Sequence, residues 1–156
     1  ALTGGLPYKG QRWHDYDLGY ELKYNGTAWY CTEPQSATVA TSQATTTQTY
    51  TDLATSGPAV TVTTATRALV TVTAQLQTTS GSNGWMSFAV SGATTVAAAD
   101  TYAITSNAGG GVNRFGATSL ITGLTAGVNV FTAKYLNPGG TGATFVDRNI
   151  TVVGLP

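Results

Sequence analysis

The sequence predicts an all-β protein with a small N-terminal β-meander, a Thr-rich linker and a C-terminal antiparallel β-sandwich of the jelly-roll or immunoglobulin-like type. Thr and Val, which fit pleated and half-buried surfaces, are abundant, whereas strong helix formers are sparse. Apolar and polar residues alternate in the later part of the chain, and Gly-rich turns separate these runs. We therefore expect the meander in residues 1–34, the linker in 35–57 and the sandwich in 58–156.

The N-terminal part combines a concentration of aromatic residues with a strong hairpin signal. It carries seven of the fifteen aromatic residues of the chain. Asn25-Gly26 accepts the positive φ angles of a two-residue type I′ turn, which places Tyr24 opposite Thr27. A preceding strand over residues 10–15 completes a three-stranded meander. Three strands with one apolar face approach the minimum for a stable sheet, so most of these aromatic side chains are expected to form its core.

The middle and last parts differ in their capacity to bury side chains. Residues 35–57 are rich in Thr, Ser, Ala and Gln with Asp52 as the only charge, which is typical of an extended linker. The last part contains seven candidate strands, and the alternation within the second places Val70, Val72, Ala74 and Leu76 on one side. The seven are residues 58–63, 68–78, 84–91, 101–106, 114–122, 128–136 and 144–153.

The charge balance narrows the classes of partner. Seven basic and seven acidic residues cancel, and charged residues make up 9% of the chain. A nucleic-acid-binding surface and a polybasic membrane anchor both require a basic face, so we expect neither partner. The stretch ALTGGLPYKG lacks the features of a signal peptide, which favours synthesis in the cytoplasm. Cys31 is the only cysteine, so stability is expected to come from packing or from self-association.

The residues that could carry catalysis do not form a recognisable set in the sequence. His14 is the only histidine, and it is expected to be a surface or packing residue. Asp15, Asp17 and Glu21 are close together, but a small meander offers no cleft for a glycosidase pair, and Asp favours turns. Cys31 is expected to fill space in the core. We therefore expect no enzyme activity, no cofactor and no bound metal.

Four aromatic residues are candidates for contacts with a glycan or with a neighbouring subunit, because Tyr and Trp stack on sugars and are common at interfaces. Aromatic side chains at strand spacing are also typical of a core, and exposure distinguishes the two cases. The four candidates are Trp13, Tyr16, Tyr30 and Trp85.

Two stretches of the chain resemble modules of tailed-bacteriophage structural proteins. The first stretch is PYKGQRWHDYDLGYELKYNGTAWY, which resembles a module of tail-fibre and minor structural proteins. The matching residues are Pro7, Gly10, Gln11, Arg12, Asp15, Asp17, Gly19, Tyr20, Tyr24, Gly26 and Trp29. The second runs from YTDLATSG through TFVDRNITVV and is similar to a β-domain of phage and prophage structural proteins. No catalytic residues come with either resemblance.

The resemblance implies a non-enzymatic protein on the virion surface, with the major capsid protein or tail proteins as partners and a homotrimer as the assembly. A capsid decoration or head-fibre protein is favoured over a tail-fibre protein, because the chain has no coiled-coil heptads or fibre repeats. A carbohydrate-binding module that recognises a host-surface glycan is the alternative.

Overall fold

The computed structural model describes residues 6–78, 82–106 and 111–156, and these residues form an all-β protein, as the sequence predicts. Its strands are β1 (Arg12–Asp15), β2 (Tyr20–Tyr24), β3 (Trp29–Cys31), β4 (Gln35–Val39), β5 (Gln43–Thr45), β6 (Ala59–Thr64), β7 (Arg67–Thr78), β8 (Trp85–Gly92), β9 (Ile104–Thr105), β10 (Gly111–Thr122), β11 (Gly127–Leu136) and β12 (Ala143–Leu155). A 3₁₀ turn, Asp100–Tyr102, precedes β9. The described residues contain no α-helix.

The strands pair antiparallel in three sheets. The N-terminal sheet has the order β1-β2-β3. The large sheet has the order β10-β7-β12-β4, and β5 also pairs with β12. The small sheet has the order β6-β11-β8-β9. The large and small sheets carry the two inner faces of the sandwich, and the chain crosses between them through short loops from β6 to β7, from β10 to β11 and from β11 to β12.

The core between the sheets follows from the alternation of side chains along each strand. Val70, Val72, Ala74 and Leu76 are all at most 1% exposed, which confirms the predicted inner face of β7. They belong to one hydrophobic cluster with the aromatic side chains of the small sheet, Phe88, Phe131 and Tyr135. Complete burial of one Val or Leu side chain contributes roughly 1.5–3 kcal/mol, so this cluster is the main source of stability.

All seven segments predicted for the sandwich contain strands. The weakest, residues 101–106, is reduced to the two residues of β9 behind the 3₁₀ turn. The predicted turns at residues 80–84 and 107–111 lie partly outside the described residues.

Residues 35–57 do not form a free linker, because β4 and β5 belong to the large sheet and Thr51 forms an isolated bridge with Tyr135 of the small sheet. β4 pairs with residues 148–152 of β12, and β5 pairs with residues 143–145. Polar side chains support this edge, since Asn149 donates to Ser36 Oγ at 2.9 Å and to Thr38 Oγ1 at 2.8 Å. The linker interpretation is corrected here because backbone pairing stabilises a strand that buries few apolar atoms.

A bulge in β12 lies where β4 gives way to β5. The pairing of β12 with β7 shifts between Val146 and Asn149, and Asp147 adopts a φ of 48°. Arg148 is turned inward there and is fully buried. Its guanidinium donates to the backbone oxygens of Thr41 and Thr55 at 3.3 and 3.4 Å and to Gln43 Oε1 at 3.2 Å. A buried cation therefore ties residues 41–55 to the sandwich.

The N-terminal sheet shares its core with the sandwich. Tyr20, Leu22 and Cys31 belong to the same hydrophobic cluster as the two larger sheets. The Tyr20 hydroxyl accepts a hydrogen bond from the Thr63 backbone N–H at 2.8 Å and donates to Thr63 Oγ1 at 3.1 Å. At Gly154 an added Cβ would lie 2.5 Å from the Cys31 backbone oxygen, so only glycine permits this approach of β12 to β3.

The hairpin between β2 and β3 has a longer loop than the sequence predicts. Tyr24 pairs with Trp29, so the prediction that it faces Thr27 is wrong. Asn25 Oδ1 accepts hydrogen bonds from the backbone N–H groups of Thr27 at 2.9 Å and Ala28 at 2.8 Å, which stabilises a four-residue loop. The observed register differs from the predicted one by two residues, and an even shift leaves each strand side chain on its predicted face of the hairpin.

Candidate ligand-binding site on the N-terminal sheet

A small aromatic cavity lies on one face of the N-terminal sheet. Trp13, Asp15, Leu22 and Trp29 line a space of about 290 Å³. The pairing of Trp13 with Leu22, and of Leu22 with Cys31, places these side chains on the face that continues into the core. The cavity is therefore the part of this face that the sandwich leaves uncovered.

The cavity walls are held by neighbouring strands. Leu22 is 8% exposed and forms the floor. The Trp29 ring packs against the Tyr24 ring, directly opposite on β2, with centroids 5.2 Å apart and planes tilted by 48°. Trp13 lies on the edge strand β1 and keeps 41% of its surface exposed. One indole is fixed by its neighbours while the other is accessible, which suits stacking on a ligand that enters from solvent.

Asp15 contributes the charged atom of the cavity. Its Oδ1 accepts hydrogen bonds from the backbone N–H groups of Asp17 at 3.0 Å and Leu18 at 3.1 Å. These bonds build the turn between β1 and β2, as the sequence predicts for an Asp in this position. They leave Oδ2 without a hydrogen-bond partner among residues 6–78, 82–106 and 111–156. This oxygen can accept a hydrogen bond from a ligand hydroxyl or amide.

The structure places the four predicted aromatic residues in different surroundings. Trp13 lines the cavity. Tyr16 is 88% exposed on the adjacent turn, where its ring meets the His14 ring edge-on at 4.8 Å between centroids. Tyr30 is only 5% exposed, so its ring cannot stack on a ligand from solvent. Trp29 belongs to the site but was expected in the core, because the sequence does not indicate how far the sandwich covers the meander.

Trp85 lies far from the aromatic cavity. It pairs with Leu136 near one end of the small sheet, whereas Thr63, the partner of Tyr20, pairs with Val128 near the other end. These two positions of β11 are separated by eight residues, or about 26 Å of strand. Trp85 and Trp13 therefore cannot contact one small ligand together.

A second, wider groove of about 740 Å³ crosses the outer face of the small sheet. The Tyr50 hydroxyl donates to Asp100 Oδ1 at 3.0 Å on one side, and Lys134 forms an ion pair with Asp52 at 2.7 Å on the other. Burial and the Asp100 carboxylate raise the pKa of Tyr50 above its ordinary value. The Tyr50 hydroxyl and the Lys134 ammonium of this groove thus already have partners within the protein.

Residues 6–78, 82–106 and 111–156 contain no group of three or more His, Cys, Asp and Glu side chains placed to hold a metal ion. No helix in these ranges is long and apolar enough to cross a membrane.

Cys31 is buried, which raises the pKa of its thiol, and Gln35 donates to its sulfur at 3.8 Å.

Comparison of the sequence with protein-family models gives no match, and comparison with curated proteins gives none either.

Proposed function

We propose that this chain is a non-enzymatic structural protein of a bacteriophage particle, exposed on the virion surface. The resemblance of its two modules to phage structural proteins supplies the class. The observation that carries an assembly role is the outer face of the large sheet, which is poor in charge. The only charged residues on the described strands of this sheet are Arg67, Arg114, Asp147 and Arg148, and Arg148 is fully buried. Interface cores are depleted of charged residues, because each charge that is covered must be desolvated.

The polar groups on that face are hydrogen-bonded to one another. The hydroxyls of Thr71 and Thr118 are 2.8 Å apart on neighbouring strands. Thr151 donates to Ser36 at 3.0 Å, which extends the same row across the sheet. Side chains that already have partners lose little when a second surface covers them, so this face can pack against a neighbouring subunit at low cost.

Within the particle, a capsid decoration or head-fibre role is favoured over a minor tail or tail-fibre role. The described strands fold back on one another in antiparallel pairs and contain no fibre-like repeat. The partner in this role is the major capsid protein, and tail proteins are the partner in the other. Self-association as a homotrimer remains part of the proposal.

Immunogold labelling of intact particles tests this role. Antibodies raised against the purified chain are expected to label the head surface of the phage whose genome encodes it. Label confined to the tail would indicate that the protein is part of a tail appendage and not a capsid decoration protein. Absence of label, with the chain also missing from denatured particles on a blot, would contradict a virion role.

A carbohydrate-binding module is the second candidate, and the cavity beside Trp13 is the observation that favours it. An exposed indole, a fixed indole at Trp29 and the unpartnered Oδ2 of Asp15 are the elements that bind a pyranose ring: two aromatic faces and one hydrogen-bond acceptor. Under this alternative, the ligand is a glycan of the host surface.

Tryptophan fluorescence during titration with host cell-wall oligosaccharides tests the alternative. Saturable quenching that Trp13→Ala and Asp15→Asn both abolish would support glycan binding. Tyr8→Ala is the matched control, since Tyr8 is 70% exposed and does not line the cavity. Equal responses of the control and the cavity variants would exclude the cavity as the glycan site.

A further inference from the structure

β10 is a long edge strand with one open side. Its twelve residues, Gly111–Thr122, all pair with β7, and no other described strand pairs with it. In an antiparallel pair, alternate residues direct their N–H and C=O groups toward and away from the partner. About half of the residues of β10 therefore present unpaired backbone donors and acceptors along an edge of about 40 Å.

This edge lacks most of the features that usually protect a sheet from pairing with another chain, although β9 and the 3₁₀ turn Asp100–Tyr102 lie close to part of β10 without pairing with it. Such features are Pro, Lys, bulges, very short strands or a covering segment. β10 has no Pro or Lys, and its register with β7 is continuous. Its one charge, Arg114, is bound to Asp147 at 3.3 Å across the sheet.

The other described sheet edges differ from β10 in this respect. β9 has only two residues and β3 three, and the far edge of the large sheet is divided between β4 with five residues and β5 with three. β6 is close to β3 of the N-terminal sheet, so that side of the small sheet is shielded. β1 has four residues and carries charged or ionisable side chains at three of them. A long edge without charge repulsion is thus specific to β10 within the part of the chain that the structure describes.

Apolar side chains adjoin the open edge on both faces of the sheet. Val112 and Leu120 are 50% and 52% exposed on the outer face. Leu120 pairs with Leu69, which is also exposed, and forms an apolar row with it. Phe115 packs only partly against the core on the inner face. A strand added at this edge would cover apolar surface on each side as well as complete the hydrogen bonds.

We propose that β10 pairs antiparallel with β10 of a second copy of this chain around a two-fold axis. A register centred on Ala117 places Arg114 opposite Leu120 of the second copy. The two Arg114 residues are then six residues apart along the strand direction, or about 20 Å, which exceeds the screening length of roughly 8 Å at physiological salt. No like charges meet in this register, and each arginine stem can cover a leucine.

The two-fold contact describes the chain free in solution, and it does not produce the homotrimer proposed for the particle. An isologous contact closes as a dimer, whereas three-fold assembly requires a heterologous contact. The pairing also needs no other virion component, so it stands or fails independently of the proposed role on a phage particle.

Sedimentation equilibrium of the full chain, from roughly micromolar to millimolar concentration, tests the pairing. The wild-type chain is expected to form dimers. Leu120→Lys places like charges opposite Arg114 in two symmetric pairs, whereas Leu120→Glu places opposite charges there. The dimer of Leu120→Lys is therefore expected to be about tenfold weaker than the dimer of Leu120→Glu. Val128→Lys is the matched control, since Val128 is 47% exposed on β11 and should leave the dimer unchanged.

Two further observations make the outcome decisive. Circular dichroism at low concentration checks that each variant is folded, and hydrogen exchange should report concentration-dependent protection of β10 amides in the wild-type chain. A monomer throughout the range, a trimer, or equal dissociation constants for Leu120→Lys and Leu120→Glu would each overturn the proposed pairing.

Discussion

Removal of the Tyr20 hydroxyl tests how the N-terminal sheet is fixed to the sandwich. Tyr20 and Thr63 are 3% and 8% exposed, and the hydroxyl both accepts from the Thr63 N–H and donates to its Oγ1. Tyr20→Phe keeps the ring and removes both bonds. A buried N–H left without a partner costs about 1–3 kcal/mol, so we expect the free energy of unfolding to fall by about 2 kcal/mol.

Urea unfolding followed by tryptophan fluorescence measures this loss. With a slope of roughly 2 kcal/mol/M for a chain of this size, the midpoint should fall by about 1 M at unchanged slope. Tyr16→Phe is the control, because Tyr16 is 88% exposed and its hydroxyl should contribute less than about 0.5 kcal/mol. Equal midpoints for the two variants would refute the idea that the Tyr20–Thr63 bonds fix the N-terminal sheet to β6.

Three other perturbations test the packing around the same sheets. Gly154→Ala should lower the free energy of unfolding in urea by about 2 kcal/mol or more, because the new Cβ would lie 2.5 Å from a backbone oxygen. Gly116→Ala is the control and should cost less than about 1 kcal/mol, because the nearest atom at Gly116 is a movable methyl group. Arg148→Ala should cost about 2–4 kcal/mol and accelerate amide exchange in residues 41–55; unchanged exchange there would contradict the role of the guanidinium. Burial raises the pKa of the Cys31 thiol above 9.0 and the pKa of Tyr20 and Tyr135 above 10.0, so the folded state keeps protons that the unfolded state loses. Urea midpoints should therefore begin to fall as the pH rises above about 9, fall more steeply above about 10, and stay unaffected by these groups below about 9.

Alternation in the sequence predicts the sandwich well, because each of its long strands has one face in a continuous core. β7 illustrates this: the residues expected on its inner side are all buried. The hairpin register was not predictable from the Asn-Gly pair alone, since the Asn25 side chain bonds two backbone N–H groups and favours a longer loop.

The pairing of β4 and β5 with β12 escaped prediction for a different reason. β4 gains its stability from backbone hydrogen bonds and from contacts such as Asn149 to Thr38, and neither produces an apolar pattern. Trp13, which the sequence offers as a candidate contact for a glycan or a neighbouring subunit, lines the candidate cavity. The contribution of Trp29 depends on how much of the meander the sandwich covers, which is a property of the tertiary structure.

The copy number of this chain relative to the major capsid protein, measured by quantitative mass spectrometry of purified particles, tests the central proposal most directly. Near parity, or a simple fraction of it, is the result that the decoration role predicts, because a protein bound to the capsid lattice follows the lattice stoichiometry. Complete absence of the chain from the particles would contradict the virion role.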